Sequence, residues 1–371
     1  FFKQKTAYEI IVSNTLKQEA GQFFTPRNVI KCMVEMLNPT VNMRVLDIAC
    51  GSGGFLVMVL DHVRRQITKN MYPELEGALL EARANTDAVN EKVREYAENM
   101  VFGFDFDPDL KKAAKMNMVM AGDGHSNIYN INSLEYPNGT LPDIPKVTAS
   151  VAKSVEWKGD LEQCDKAYSL ENAMGKFDCI FTNPPFGSKV EVASTIAANY
   201  ELKAFLAPEV LFIEQCYNFL KPGGKMGIVL PDGILGNPNT EPVRKWILEH
   251  FKLLASVDLP VETFLPQVGV QASLLFLQKK TPLERLVDPN SEMYDVFMAI
   301  AEKVGKDRRG NVVYERDDDG AEMLFVEKKE WASYNRQGEL VARHRTERVK
   351  HVDDDLPKIS KAYKQYLEGK K

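Results

Sequence analysis

The sequence predicts an α/β protein with a mostly parallel sheet that helices cover on both faces. Short apolar runs alternate with helical segments along most of the chain, as they do in folds where helices connect parallel strands. Runs such as "RVLDIA" and "FDCIFT" are too uniformly apolar for a sheet with one solvated face. The first run leads into the glycine turn "CGSGG" and an apolar helix, which together make a strand–loop–helix unit.

Seven strands are predicted, and each is a short apolar run. In chain order they are "RVLDIA", "VFGFDFD", "NIYNI", "FDCIFT", "KMGIVLP", "LLASVDL" and "ASLLFLQ". Helices are predicted for "FLVMVLDHV", "DLKKAAKMNMVMA", "PEVLFIEQCYNFL" and "EPVRKWILEHF", and the charged residues 62–100 form a long helical insertion. Before the first strand, Thr25 is predicted to cap a helix with Pro26 at its first position. Residues 135–176 contain several prolines and are expected to form loops.

Changes in composition divide the chain into three regions. Residues 1–40 form a helical segment, residues 41–280 the sheet domain, and residues 281–371 an extension in which charge runs dominate. The extension ends in the amphipathic pattern "KISKAYKQYLEGKK". Its charge runs are typical of a solvated surface, with a docking appendage as the alternative. Because residue 1 is a phenylalanine, we expect that an upstream segment is missing.

The composition argues against several classes of protein. No apolar run approaches the roughly 18 residues of a membrane helix, so no membrane partner is expected. The net charge is -5, whereas a protein that holds nucleic acid by itself is usually basic, so a partner would have to supply positive charge. The five cysteines are scattered, which indicates reduced thiols in the cytoplasm. The histidines form no pattern typical of a metal site.

The glycine turn after the first strand indicates a ligand site. Asp47 ends the strand, and the turn contains Gly51, Ser52, Gly53 and Gly54. Glycines permit a tight turn and the close approach of a ligand to the backbone, and the next helix offers free N–H groups. The order G-S-G-G differs from G-x-G-x-x-G, the motif of dinucleotide-binding folds. The turn also has no Walker lysine, which argues against an NTPase.

An acid ends the second strand. Asp105 lies where an acid of an α/β fold typically binds the hydroxyls of a ribose, and the helical insertion accounts for its long spacing from the glycine turn. A nucleoside-like cofactor without a pyrophosphate cradle fits these features, and S-adenosylmethionine matches that description. The alternative is that Asp105 only caps the helix that begins after Pro108.

The stretch "TNPPF" follows the fourth strand at the edge of the sheet where ligands bind in open α/β folds. The Asn183 amide is a good acceptor but not a general base, and Pro184 and Pro185 stiffen the turn while they keep their carbonyls. Two such acceptors would hold a planar amino group and draw its lone pair out of conjugation, which suits methylation of an aromatic amine. Phe186 would stack on a flat base, and if that base belongs to duplex DNA it must first be flipped out of the helix. The alternative is a plain proline turn with Phe186 in the core.

Five stretches in order carry a family resemblance: "GQFFTPRNV", "VLDIACGSGGFLV", "GFDFDP", "FTNPPFG" and "LPDGIL". Together they resemble the N6-adenine DNA methyltransferases, and most closely the modification subunits of type I restriction-modification systems. The resemblance covers roughly residues 15–280. It implies a Rossmann-like class I methyltransferase that transfers a methyl group from S-adenosylmethionine to N6 of a flipped adenine in DNA, with residues 41–280 as the catalytic domain.

The resemblance also implies which residues bind the cofactor. The segment that closes over the methionine end of the cofactor would be Gln22, Phe23, Phe24, Thr25, Pro26 and Arg27. Asp47 and the turn from Gly51 to Gly54 match the loop under the cofactor, and Asp105 matches the ribose-binding acid. Asn132 falls where the family usually has an aspartate that reads the cofactor adenine, so the sequence departs from the family pattern there.

For the target base, the resemblance implies a catalytic tetrad that consists of Asn183, Pro184, Pro185 and Phe186. Phe264 resembles a second aromatic residue beside the flipped base, and a core phenylalanine is the alternative.

The order of the motifs resembles the γ arrangement, in which the cofactor segment precedes the catalytic tetrad. Single-chain members of that arrangement place a DNA-reading domain after the catalytic one, but here only residues 281–371 follow, and they contain several acidic runs. The resemblance therefore implies a separate specificity subunit that reads DNA, a restriction subunit that cleaves it, and possible pairing with a second modification subunit. The extension would dock on the specificity subunit or on DNA.

Two other functions are compatible with these motifs. Motifs of the N-P-P-[YF] type also occur in methyltransferases that act on protein glutamine or on RNA, because each target is a planar amino group. The segment "GQFFTPR" and the large insertions favour DNA. A non-catalytic scaffold that binds S-adenosylmethionine within a defence complex is the other alternative, and the intact Asn183 and Phe186 argue against it.

Overall fold

The computed structural model describes most of the chain, over residues 24–122, 127–138, 177–186, 192–286 and 294–369. The predictions for Gln22 and Phe23, and those for most of the loop region 135–176, lie outside the described residues. Within the described ranges, no helix is long and apolar enough to cross a lipid bilayer.

An eight-stranded sheet forms the centre of the protein. Its strands are β1 (Val45–Asp47), β2 (Val101–Asp105), β3 (Asn127–Asn130), β4 (Phe177–Thr182), β5 (Leu220–Pro231), β6 (Phe251–Leu259), β7 (Ala272–Lys279) and β8 (Phe297–Ile300). The order is β3-β2-β1-β4-β5-β7-β6-β8, and β7 runs antiparallel to both of its neighbours. The predicted α/β fold with a mostly parallel sheet is confirmed. The sheet also contains β8, parallel to β6, beyond the seven predicted strands.

Helices cover both faces of the sheet, as predicted. They are α1 (Arg27–Leu37), α2 (Gly54–Met71), α3 (Gly77–Arg83), α4 (Asp87–Met100), α5 (Pro108–Met120), α6 (Ser194–Ala197), α7 (Pro208–Phe219), α8 (Asp232–Gly236), α9 (Glu241–His250), α10 (Pro282–Leu286) and α11 (Leu356–Glu368). One buried cluster contains Val45 of β1 and residues of α1, α2, α4 and α11. The next residue, Leu46, belongs to a second cluster with α7 and α9. Because successive strand residues point to opposite faces, the two clusters are the two layers around the sheet.

The register of the central strands brings their carboxyl ends to one edge. Val45 of β1 lies opposite Val101 of β2 and Cys179 of β4. The first two strands then end at Asp47 and Asp105. Since ligands bind outside the carboxyl ends of strands in open α/β sheets, this edge is where a functional site is expected.

Helix α1 begins without the predicted cap. Pro26 is the N-cap residue and Arg27 the first helical residue, and among the described residues no side chain caps the helix. The prediction that Thr25 caps a helix starting at Pro26 is therefore wrong. The Thr25 hydroxyl instead accepts a hydrogen bond from the Asn183 amide after β4, so a contact between distant segments replaces the local motif.

The extension packs against the sheet domain. Strand β8 lengthens the sheet beside β6, and α11 packs on α1, where the Ser360 hydroxyl donates to a Glu35 carboxylate oxygen at 2.7 Å. Helix α11 confirms the amphipathic helix that the last residues predict. Between β8 and α11, β9 (Phe325–Tyr334) and β10 (Leu340–Val349) form an antiparallel hairpin with mostly exposed side chains.

Candidate active site

The glycine turn between β1 and α2 has a backbone conformation that favours glycine. Gly51 and Gly53 have φ angles of 52° and 82°, in the left-handed region. A Cβ atom on Gly53 would lie 3.3 Å from the Ala114 Cβ of α5, whereas a Cβ on Gly51 would meet no atom of the described residues within 4 Å. The turn is therefore closely packed against α5 and open beside Gly51, where a ligand can approach the backbone.

Side chains from two neighbouring elements hold the turn in place. The Asn117 amide of α5 donates to the Ser52 carbonyl at 2.9 Å. At the end of β2, Asp105 Oδ2 accepts from the Gly51 N–H at 2.8 Å, and its Oδ1 accepts from the Asp107 N–H at 2.8 Å. Asp105 thus fixes the glycine turn to the adjacent strand. Its predicted contact with a ribose remains a prediction.

Two carboxyl groups at the turn have raised pKa values. Burial, with a smaller contribution from the nearby Asp105 charge, raises the pKa of Asp47 to about 8, and the hydrogen bond from the Ala49 N–H opposes this rise. Burial raises the pKa of Asp105 to about 6. Asp47 is only 1% exposed, so it lies inside the fold beneath the turn, whereas Asp105 is partly exposed and accessible to a ligand.

We expect these carboxyl groups to make the protein less stable as the pH rises from about 5 to about 8. Both folded pKa values lie above the ordinary value of 3.8. The folded protein therefore binds protons that the unfolded chain releases, and the free energy of unfolding falls with increasing pH. Asp47→Asn removes the larger contribution. Since one pKa unit corresponds to about 1.4 kcal/mol, the variant should gain stability over the wild type by a few kcal/mol across this range.

Urea unfolding at several pH values checks this expectation. Asp61→Asn is the control, because Asp61 is a solvent-accessible carboxylate that pairs with Arg65 on α2. The stability difference between Asp47→Asn and the wild type should grow with pH, and that for the control should stay constant. Parallel pH profiles for Asp47→Asn and the wild type would contradict the prediction.

After β3, Asn132 makes local hydrogen bonds. Its Oδ1 accepts from the Leu134 N–H at 3.2 Å, and its Nδ2 donates to a Glu135 carboxylate oxygen at 3.0 Å. The side chain lies at the start of a 3-10 helix over Ser133–Asn138. The contact of Asn132 with the cofactor adenine remains a prediction. In such a contact the adenine would bind beside the Leu134 N–H and the Glu135 carboxylate or take the place of one of them as the hydrogen-bond partner.

Phe106 is a candidate site residue that the sequence analysis missed. Its ring is 75% exposed and directly follows Asp105. Its carbonyl accepts from the Asn130 amide at 2.7 Å, which fixes the backbone at this point. An exposed ring beside a partly exposed acid offers a flat apolar surface to a base. The aromatic residue between the two acids of "DFD" is the sequence signal that points to it.

The stretch after β4 presents an unusual amide. Asn183 is partly buried, and its Nδ2 donates to the Thr25 hydroxyl oxygen at 3.0 Å. Its Oδ1 is buried and makes no hydrogen bond among the described residues. Buried acceptors are nearly always paired, so an unpaired one at the ligand edge of the sheet marks a place for a donor that comes with a ligand. Pro184 next to it is buried and Pro185 is exposed.

The two aromatic residues predicted to flank a base lie together. The rings of Phe186 and Phe264 are 6.0 Å apart between centroids and meet edge to face at 88°. Each is 4% exposed. The structure therefore brings Phe264, from the segment between β6 and β7, to the turn after β4, and both rings belong to the buried core. Stacking of either ring on a base remains a prediction.

The extension contacts both sides of this site. On the α1 side, the Asn28 amide donates to the Asp354 carboxylate at 3.0 Å. On the other side, the Lys306 ammonium group donates to the Leu265 carbonyl at 3.0 Å, directly after Phe264. No sequence motif indicates these contacts, because each joins residues that are far apart in the chain.

The site contains groups that can bind and orient two molecules. The Asn183 amide is a hydrogen-bond acceptor and not a general base. The acceptor of Asn183, the carboxylate of Asp105 and the glycine turn lie along one edge of the sheet. In the part of the chain that the structure describes, no three His, Cys, Asp or Glu side chains are grouped so that they could hold a metal ion. This arrangement suits the transfer of a group between two bound molecules, where positioning supplies much of the catalysis.

The sheet order, the glycine turn after β1 and the polar turn after β4 define the fold of a class I methyltransferase. Residues 5–353 match the family model described as N-6 DNA Methylase. The chain belongs to this family, and the resemblance found in the five sequence motifs is confirmed.

Curated relatives include methylase subunits of type I restriction enzymes. The chain is 26% identical over 286 residues to the EcoKI methylase subunit of Escherichia coli K12, which covers 76% of this chain and 44% of that protein. It is 25% identical over 270 residues to the EcoEI methylase subunit of Escherichia coli, which covers 72% of this chain and 44% of that protein. The chain thus spans less than half the length of these relatives.

Solved structures share the fold. A crystal structure of a modification subunit assigned to a type I restriction enzyme of Vibrio vulnificus YJ016 aligns with a TM-score of 0.53 and 21% identity, over 91% of this chain and 61% of that chain. A structure that addresses complex assembly and conformational transition of the type I R-M system aligns with a TM-score of 0.53 and 26% identity, over 76% of this chain and 47% of that chain.

Proposed function

We propose that this chain transfers a methyl group from S-adenosylmethionine to the N6 amino group of a flipped adenine in DNA, as the modification subunit of a type I restriction-modification complex. The observation that carries the proposal is the buried Oδ1 of Asn183, at the ligand edge of a class I methyltransferase sheet, which accepts no hydrogen bond from any residue that the structure describes. The exocyclic amino group of a base would donate an N–H hydrogen bond to this oxygen. Membership of the N-6 DNA Methylase family and similarity to type I methylase subunits support the same function.

In this proposal Asn183 and the Pro184 carbonyl hold the amino nitrogen. Both oxygens accept N–H bonds, and accepting both hydrogens turns the nitrogen lone pair away from the ring and towards the methyl donor. The flipped base would lie near Phe186 and Phe264, whose rings already contact each other. Asn183 takes up no proton at neutral pH, so the proton that the methylated nitrogen loses would pass to solvent. The contribution of Asn183 is to position the nitrogen and to stabilise the charge that develops on the N–H groups.

The residues around the glycine turn fit the cofactor. Asp105 would accept from ribose hydroxyls, the open side of Gly51 would admit the cofactor to the backbone, and the exposed Phe106 ring would lie on its adenine. Asn132 would contact the adenine edge, and the segment from Phe24 to Arg27 would close over the methionine end. When bound, S-adenosylmethionine supplies a methyl group on a sulfonium, which is already a strong electrophile.

The net charge of the chain and its similarity to type I methylase subunits support a set of binding partners. With a net charge of -5, the chain needs positive charge from elsewhere to hold DNA. We infer a specificity subunit that reads the DNA, a restriction subunit that cleaves it, and association with a second modification subunit. The extension would dock on the specificity subunit or on DNA. The complex would act in the cytoplasm.

Mass spectrometry of nucleosides tests the proposed function. The full-length protein is incubated with S-adenosylmethionine and DNA, with and without the co-expressed products of neighbouring genes, and the DNA is digested to nucleosides. N6-methyladenine above the level of a control without protein is the expected result. The absence of N6-methyladenine in both incubations would contradict the proposal. Detection of N4-methylcytosine would show that the target base is cytosine rather than adenine.

Two parallel incubations separate the proposal from its alternatives. Methylated RNA, or a methylated glutamine in a protein substrate, would indicate a methyltransferase of another substrate class. Binding of S-adenosylmethionine without methylation of DNA, RNA or protein would indicate a non-catalytic scaffold.

A further inference from the structure

We propose that Thr25 is a positioning residue for the catalytic amide, in addition to its predicted place in the segment that closes over the cofactor. This inference rests on the proposed function. The contact is direct, because Asn183 Nδ2 donates to Thr25 Oγ1 at 3.0 Å. It joins the turn after β4 to the residue before the N-cap of α1, 158 positions away in the chain.

The hydrogen bond to Thr25 anchors the nitrogen end of the Asn183 amide. Asn183 Oδ1 is buried and makes no hydrogen bond among the described residues, so within these residues only the Nδ2 bond to Thr25 restrains the rotation of the amide plane. Rotation of that plane would move Oδ1 away from the amino group that it must accept. Thr25 therefore holds the acceptor at the place where the target nitrogen has to lie.

Thr25 is itself held in a fixed position. Pro26 restricts the backbone directly after it. Three residues after Thr25, the Asn28 amide donates to the Val304 carbonyl at 3.1 Å and to the Asp354 carboxylate at 3.0 Å. The start of α1 is thus fastened to the extension, and Thr25 can serve as a rigid acceptor rather than as a mobile surface hydroxyl.

The positioning role makes a specific kinetic prediction. Thr25→Val keeps the shape of the side chain but removes the oxygen, so the amide loses its anchor. We expect kcat at saturating S-adenosylmethionine to fall by about 10- to 100-fold, the range that small misplacements of a reacting group produce. Thr25→Ser keeps the hydroxyl and should restore kcat to within about threefold of the wild type. Because kcat is measured at saturating S-adenosylmethionine, a change in the Kd for the cofactor reports the separate predicted role of this segment in closing over the cofactor and does not enter this comparison.

A melting experiment without substrate tests the same bond. The Tm losses of Thr25→Val and Asn183→Ala should not add, because each variant removes the same hydrogen bond. The double variant should melt near the less stable single variant. Additive Tm losses would show that the two side chains do not act on each other and would overturn the proposal.

The kinetic outcomes separate this inference from the proposed function. The experiments use the full-length protein with its co-purifying subunits and DNA that carries its mapped methylation site. Wild-type kcat in Thr25→Val, or a weaker Kd for S-adenosylmethionine with unchanged kcat at saturation, would overturn the positioning role and leave the proposed function intact. If the wild type does not methylate DNA, the proposed function fails, and the melting experiment still decides whether Thr25 anchors the amide.

Discussion

Replacing Asn183 with alanine is expected to lower the rate of methyl transfer by about 10³-fold and to leave the binding of S-adenosylmethionine nearly unchanged. The amide oxygen is a preorganised acceptor in a buried place, and removing one such group from an active site typically costs about 10²- to 10³-fold in rate. The alanine variant loses both the bond that holds the amino nitrogen and the means of turning its lone pair. The glycine turn and Asp105 remain in place, so the Kd for the cofactor should change by less than about threefold.

Single-turnover methylation and calorimetric titration with S-adenosylmethionine measure these two quantities. Asn99→Ala is the matched control, because Asn99 is an amide at the end of α4, at the opposite edge of the sheet, and its side chain donates to the Glu95 carbonyl within its own helix. The control should keep the wild-type rate. A large loss of cofactor affinity in Asn183→Ala would mean that this amide belongs to the cofactor site and not to the target-base site.

The second large effect is expected at Asp105. Asp105→Ala should weaken the binding of S-adenosylmethionine by about 10- to 100-fold, because hydrogen bonds to a charged group contribute about 1.5–3 kcal/mol and 1.4 kcal/mol corresponds to a factor of ten in affinity. Part of this loss is indirect. The carboxylate also accepts from the Gly51 N–H at 2.8 Å, so its removal loosens the turn on which the cofactor would lie. At saturating cofactor, the rate of transfer should fall much less than in Asn183→Ala.

Titration with S-adenosylmethionine across the variants gives the affinities. Asp61→Ala removes a carboxylate from the surface of α2, where it pairs with Arg65, and should bind the cofactor like the wild type. An unchanged Kd in Asp105→Ala would remove this residue from the cofactor site. The two main variants are thus expected to differ in opposite ways: Asn183→Ala lowers the rate of methyl transfer, and Asp105→Ala lowers the affinity for S-adenosylmethionine.

The parts of the fold that the sequence predicts well are local. Each central strand is a short apolar run that ends at a polar or turn residue, and the burial of neighbouring parallel strands requires that composition. The glycine turn also follows from its residues, because Gly51 and Gly53 adopt left-handed backbone angles that other residues rarely take. Given these strands, the meeting of Asp105 and the turn at one edge follows from the geometry of a parallel sheet.

The parts that the sequence predicts poorly depend on distant contacts. The sequence around Thr25 and Pro26 has a helix-start pattern, yet the hydroxyl of Thr25 bonds to Asn183, which no local pattern indicates. The short run Phe297–Ile300 lies in the apolar stretch "VFMAIA" ahead of the charge runs, and it forms a strand that pairs with the distant β6. Likewise, Phe264 is an ordinary apolar residue in the sequence, and only the packing of the segment after β6 brings it to Phe186.

The contact between α11 and α1 has a consequence for how the protein is made. Ser360 of α11 follows Glu35 of α1 by 325 residues, and ribosomes add about 5–20 residues per second. Helix α1 therefore leaves the ribosome roughly 16 to 65 seconds before the helix that covers it. During translation the segment that carries Thr25 lacks its outer support, so the completed site forms only after the extension has been synthesised.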